Sequence, residues 1–148
     1  MIAVSSCLLG VNCKYNGDNN KNDKIIDYLK DKEYIIVCPE QLGGLTTPRF
    51  PSEIEINNGN DVLDGKSKVI SVKGVDVTDN FIKGATEALK IAKMYNVTEA
   101  ILKESSPSCG VNFIYDGSFT GKKIEGFGVT TALFKNNNIS VKSEKEIY

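Results

Sequence analysis

No histidine occurs in this 148-residue chain, and that absence removes much of ordinary enzyme chemistry. Ser-His and Cys-His nucleophile pairs, histidine-ligated zinc and imidazole acid-base catalysis all need a ring the sequence does not contain. Arginine occurs once, as Arg49. The paired C-x2-C knuckles of a structural zinc site are missing, and the four cysteines, Cys7, Cys13, Cys38 and Cys109, are spread too widely for a compact disulfide framework. No apolar run approaches the length of a membrane span, and the opening Met1-Ile2-Ala3-Val4-Ser5-Ser6 has neither a basic n-region nor a long apolar core. The expectation is a cytoplasmic protein with no membrane partner. A formal net charge of -1 leaves no global basic field for a nucleic acid polymer. Chemistry is left to Cys, Glu, Asp, Ser, Lys, Tyr or a cofactor.

What is present reads as one domain spanning residues 1–148, long enough to build a hydrophobic core without covalent staples. Ile2 to Ser5, Tyr34 to Val37 and Thr98 to Leu102 are short apolar runs that predict buried strands, with Ile139 to Lys142 as a last strand. Ile25, Ile26 and Leu29 recur at helical spacing between Asp23 and Lys32. A longer stripe, Phe81, Ile82, Ala85, Ala88, Leu89 and Ala92, predicts a core helix that Thr78 would cap and that ends near Tyr95. Gly126-Phe127-Gly128 opens a further helix. The alternating stretches 53–56 and 68–72 predict an antiparallel hairpin-like insertion, peripheral to the chemistry. Strands alternating with helices imply βα units: an α/β, small three-layer, Rossmann-like fold with a mainly parallel sheet.

In such folds ligands bind beyond the C-terminal ends of the strands. Cys7, Cys38 and Cys109 each follow a predicted buried strand, so these three thiols share one sheet edge; Cys13 lies in a loop and has no such address. Pro107 and Gly110 make the turn Ser105-Ser106-Pro107-Ser108-Cys109-Gly110 rigid, suited to presenting its thiol. Three thiolates without histidine favour a soft metal centre, and an iron-sulfur cluster on three cysteines leaves one iron open. Reduced structural cysteines and a redox dithiol pair remain alternatives on spacing alone. Arg49 lies in a loop stiffened by Gly43-Gly44 and by Pro48 and Pro51; it is either a surface ion-pair partner or a planar donor for a carbonyl or anionic ligand.

The motifs Ser6-Cys7-Leu8-Leu9-Gly10, Cys38-Pro39-Glu40, Gly43-Gly44-Leu45, Pro48-Arg49-Phe50-Pro51, Gly74-Val75-Asp76-Val77-Thr78, Ser106-Pro107-Ser108-Cys109-Gly110 and Tyr115-Asp116-Gly117 stand in this order along nearly the whole chain. Together they resemble the DUF523 family, which includes thiouracil desulfidases. The resemblance implies a 4Fe-4S cluster held by Cys7, Cys38 and Cys109, with one open iron site. It implies a thiolated pyrimidine base or nucleotide that loses its sulfur by non-redox hydrolysis, with Glu40 the acid-base carboxylate and Ser106 a polar helper. Arg49, Gly43 and Gly44 are expected at the substrate. Cys13 matches none of the ligands, and Lys14 and Asn16 stand where the family usually carries Arg and Asp. Two other readings stay open: a non-catalytic small-molecule-binding module with an anion at the Gly126–Gly128 helix start, and a cluster-bearing sulfur carrier.

Overall fold

A computed structural model describes residues 1–148. Four strands form a parallel sheet: β1 (Ile2–Ser5), β2 (Tyr34–Val37), β5 (Glu99–Leu102) and β8 (Ser140–Ser143), in the order β2-β1-β5-β8. The register sets Val4 beside Ile36 and Ile101. Side chains alternate across a strand, so Ile2, Val4 and Ile101 face one side of the sheet and Ala3, Ala100 and Leu102 the other.

Each face is covered by helix, giving the expected three layers. On the first lies α1 (Asp23–Leu29), whose buried Ile25 and Leu29 stand one turn apart; each fully buried aliphatic side chain contributes about 1.5–3 kcal/mol. Asn22 starts it, its side chain accepting from the N–H groups of Lys24 and Ile25. The helix stops at Leu29, three residues short of the predicted Lys32. The second face carries α4 (Thr78–Met94) and α5 (Val129–Asn136), which bury Ala88, Leu89, Ala92 and Phe134 against Ala3, Ala100 and Leu102. Thr78 is the first helical residue and not the cap. Asp76 accepts the Thr78 N–H at 2.9 Å, and the Thr78 hydroxyl accepts from Val69 N. None of these helices is long and apolar enough to cross a membrane.

The chain departs from the expected pattern at three places. β2 is an edge strand with Tyr34 and Ile36 exposed, not a buried one. Pro39 does not merely stop that strand; it is the first residue of a short helix, α2 (Pro39–Leu42), where its missing N–H costs nothing. The insertion is antiparallel as expected, β3 (Ser52–Ile54) against β4 (Val69–Ser71), but a helix, α3 (Gly59–Leu63), stands between its strands. A second hairpin, β6 (Phe113–Tyr115) with β7 (Lys123–Glu125), follows the Cys109 turn. Both hairpins pack on the far side of α4 through Ile54, Val69, Phe81 and Ile114.

Candidate functional site

The order β2-β1-β5 reverses direction at β1, so a crevice is expected at the C-terminal ends of β1 and β5. A cavity of about 560 Å³ lies there. Cys7, on a 3-10 turn directly after β1, Cys38, after β2, and Cys109, in the turn after β5, all line it. So do Glu40, Arg49 and Ser106.

Cys13, which follows no strand and matches none of the expected ligands, lines the cavity as well. The loop from Asn12 folds back on the 3-10 turn, with Asn20 N donating to Cys7 O and Asn22 N to Leu8 O, both at 2.9 Å. This carries Cys13 to the same cavity wall as Cys7 and Cys38, with the Cys38 thiol donating to Cys13 O at 3.9 Å. The three thiols then polarise one another. Cys13 keeps its proton, its acidity suppressed by the Cys38 and Cys7 thiols and by burial. Cys7 falls to about 7, chiefly through Cys13, helped by Asn20 and Lys103 against the opposing effect of burial. Cys38 is likewise lowered by Cys13, then by the Gln41 backbone N–H and Arg49. Cys109 goes the other way: burial raises it well above an ordinary thiol, and the Glu40 carboxylate adds to the effect.

The Cys109 turn is held from two sides. Ser106 Oγ accepts from the N–H groups of Ser108 and Cys109, both at 3.1 Å, which leaves its own proton to point at Glu40 Oε2 at 3.5 Å, the long limit of a hydrogen bond. Beyond it, the first N–H groups of α5 are already used. Val129 N donates to Pro107 O and Thr130 N to Ser108 O, each at 2.9 Å, while Thr131 Oγ1 donates to Cys109 O at 3.0 Å. The helix start therefore grips the thiol turn and has no free donors for an anion, which removes the feature that favoured a binding module. On the other side, Glu104 Oε1 accepts from Val111 N (2.7 Å), Asn112 N (2.9 Å) and Phe113 N (3.1 Å). Burial would raise this carboxyl, but those donors outweigh it and hold it below the ordinary carboxylate range.

Arg49 reaches the cleft with its fork engaged by protein. Nη2 donates to Cys13 O at 2.9 Å and lies 3.8 Å from Glu40 Oε2; Nη1 donates to Thr47 Oγ1 at 3.1 Å and Thr46 O at 3.4 Å. Side-chain exposure is 10% for Arg49 and 14% for Glu40. Gly43 and Gly44, expected at the substrate, do not line the cavity. A Cβ on Gly43 would collide with the Asn80 carbonyl and one on Gly84 with the Pro39 carbonyl, so Gly43 lets α2 cross α4 at close range. Nor is the β3–β4 insertion peripheral: Pro51, Ser52, Glu53 and Val72 form part of the cleft wall. The sequence reading missed Cys13, Asn20, Glu53 and Glu104. Asn20, in the Asn-rich loop after the Cys7 turn, is the one local hint it held.

All four thiols are free. No group of three or more Cys, Asp or Glu side chains closes on a point as a single-ion site requires. Thiol sulfurs lining one cavity are the donor type that an iron-sulfur cluster takes.

The chain is similar to known proteins along nearly its whole length. The Bacillus subtilis (strain 168) protein YbbK is 49% identical over 147 residues, 99% of this chain and 97% of its own. The solved structure of TudS, a [4Fe-4S]-dependent thiouracil desulfidase, superimposes with a TM-score of 0.86 at 38% identity, covering 99% of this chain and 91% of that one. The family model described as 2-thiouracil desulfurase matches residues 2–146, and the chain belongs to that family.

Proposed function

We propose that this protein is an iron-sulfur-dependent desulfidase that takes a thiolated pyrimidine, thiouracil or a 4-thiouridine nucleotide, and exchanges its sulfur for oxygen by hydrolysis. The observation that carries the reading is the company the thiols keep: Cys7, Cys38 and Cys109 line one cavity with a carboxylate, Glu40, and a hydroxyl, Ser106. The family and the likeness to TudS support it. Cys7, Cys38 and Cys109 would hold the 4Fe-4S cluster. Bound there by three thiolates, the cluster supplies a Lewis-acidic iron position with affinity for the sulfur of a C=S group.

The chain's own residues do the rest. Glu40, aligned by the Arg49 guanidinium and the Ser106 hydroxyl, takes a proton from water as the oxygen adds to the ring carbon. That proton returns through Glu40 or Ser106 to the departing sulfur, and the second water proton follows by the same route as the tetrahedral hydroxyl becomes the carbonyl, so the thiocarbonyl and water become a carbonyl and hydrogen sulfide with no change of oxidation state. Cys13 lines the same cavity and accepts from Cys38 through its backbone carbonyl, without being a ligand.

The test is iron and sulfide content of anaerobically purified protein, followed by a sulfide-release assay. Brown protein with broad visible absorption is expected. Cys7→Ala, Cys38→Ala and Cys109→Ala should lose iron, and Cys13→Ala should keep it. Equal iron in all four variants would contradict the ligand assignment, and colourless, iron-free wild type would return the chain to a binding module. Sulfide delivered only to a protein or tRNA acceptor would make it a sulfur carrier.

A further inference from the structure

We infer that Phe119 is a stacking platform that selects planar heteroaromatic rings, held at the cleft by the buried carboxylate of Glu53. The inference rests on the desulfidase reading and names the feature of the substrate that this wall recognises.

Phe119 lies in the loop between β6 and β7 and lines the same cavity as the thiols and Glu40. Its backbone is left-handed, with φ 57°. For a bulky side chain that is an outlier, tolerated when surrounding contacts over-determine it. Those contacts are present. Glu53 Oε1 accepts from Gly117 N at 2.9 Å and from Phe119 N at 3.2 Å, so one carboxylate on β3 clamps both sides of the loop tip. Gly117 has φ 93°, and a Cβ there would stand 2.6 Å from Glu55 O and 2.7 Å from Ile54 O. The loop therefore presses directly on β3. Asp116 Oδ1 adds a turn bond from Ser118 N at 2.9 Å.

All this ordering does not serve the core, because Phe119 belongs to none of the three hydrophobic clusters and remains 37% exposed. What it fixes is an aromatic face at the cavity. The other partly exposed rings there are already paired: Lys14 Nζ lies 5.8 Å from the Tyr15 ring, Lys73 5.3 Å from Phe50 and Lys123 5.4 Å from Tyr115. No lysine covers Phe119. A ring unpaired with any lysine, on the wall of the cavity that the thiols and Glu40 also line, matches a flat π-system. A thiocarbonyl compound with a puckered ring presents the same C=S and cannot stack.

The experiment compares 2-thiouracil with 5,6-dihydro-2-thiouracil, which keeps the thiourea fragment and loses planarity. Base-on-aromatic stacking predicts that Phe119→Ala lowers kcat/KM for 2-thiouracil by about 5- to 140-fold while the dihydro compound changes by less than about twofold. Phe119→Leu, similar in bulk but without a π face, should behave like Phe119→Ala. Glu53→Gln, which retains an acceptor oxygen, should keep most of the planar preference, and Glu53→Ala should lose it. Calorimetric binding of uracil against 5,6-dihydrouracil reads the same preference without turnover. A wild-type planar preference in Phe119→Leu, an equal loss for both compounds, or no binding of either pyrimidine to wild type would overturn the platform. Sulfide release from neither substrate, with the uracil preference intact, would overturn the desulfidase reading and leave the platform standing.

Discussion

Arg49→Lys keeps the charge and removes the fork, and the structure says what the fork holds. The guanidinium joins three separate segments: the Cys13 loop through Cys13 O at 2.9 Å, the Thr46–Thr47 bend through Thr47 Oγ1 at 3.1 Å, and Glu40 Oε2 at 3.8 Å. The Arg49 backbone N–H adds a fourth link, to Tyr15 O at 2.7 Å. A lysine ammonium is a point donor that can satisfy one of these groups but not span them. Hydrogen bonds from a charged donor contribute about 1.5–3 kcal/mol each, so losing one of the two short ones loosens the wall by about 2 kcal/mol. The loss falls on Glu40, whose alignment depends on it. A misplaced acid-base group forfeits part of its usual hundredfold or greater contribution. The expected result is a fall in kcat of about 10- to 100-fold with KM changed by less than about threefold, measured by anaerobic steady-state sulfide release. A tenfold or larger rise in KM with kcat intact would refute this reasoning and return Arg49 to the substrate-gripping role read from sequence. If both constants stay at wild-type values, the clasp has no functional weight.

Two further substitutions separate proton transfer from architecture. Glu40→Gln keeps the size and most hydrogen bonding but cannot accept a proton, so the visible spectrum should persist while kcat falls by about a hundredfold or more; loss of the cluster would make Glu40 a ligand or structural residue. Glu104→Gln should destabilise the fold by about 3 kcal/mol at neutral pH, since an amide NH2 in place of Oε2 cannot accept from Asn112 Nδ2 and a neutral oxygen binds the three backbone N–H groups at Oε1 more weakly than a carboxylate does. Because the folded Glu104 carboxyl is held below its unfolded value, its contribution is full above the ordinary carboxylate range and is lost as pH falls through the folded value. The gap between wild type and variant in denaturant titrations should therefore narrow toward pH 3, and a gap independent of pH would show that charge is not what Glu104 supplies.

The parts of this molecule that a sequence discloses are those fixed by local period and chain direction. Ile2–Ser5 and Glu99–Leu102 are apolar because both faces of the sheet are covered, and α4 carries its stripe because one side meets the sheet. A cysteine in the loop that follows a strand of a parallel sheet is brought to the C-terminal edge by topology, and Cys7, Cys38 and Cys109 line one cavity there. Cys13 could not be placed by that rule. Its position depends on Asn20 and Asn22 folding back onto Cys7 and Leu8, and on Arg49 holding its carbonyl from 36 residues away. Gly43 misled for a related reason: glycine beside glycine reads as a binding loop, yet its missing side chain serves a helix crossing with Gly84 that no local pattern announces.

Glu53 shows where this boundary carries functional meaning. In Glu53-Ile54-Glu55-Ile56 the glutamates look like the solvent face of an alternating strand, and Glu55 is exposed as that reading requires. Glu53 is buried instead, because the second hairpin lies across it and delivers two N–H groups to its carboxylate. The cleft thus has two sides made by different means. Its thiols, Glu40 and Ser106 lie beyond the ends of a parallel ladder whose register leaves little freedom. Its selective wall is assembled from two hairpins outside that sheet, joined through a carboxylate and a left-handed phenylalanine. Substitutions on the hairpins can change which ring is accepted without disturbing the thiols, since the contacts that place Phe119 run to β3 and not to the sheet edge that carries Cys7 and Cys38.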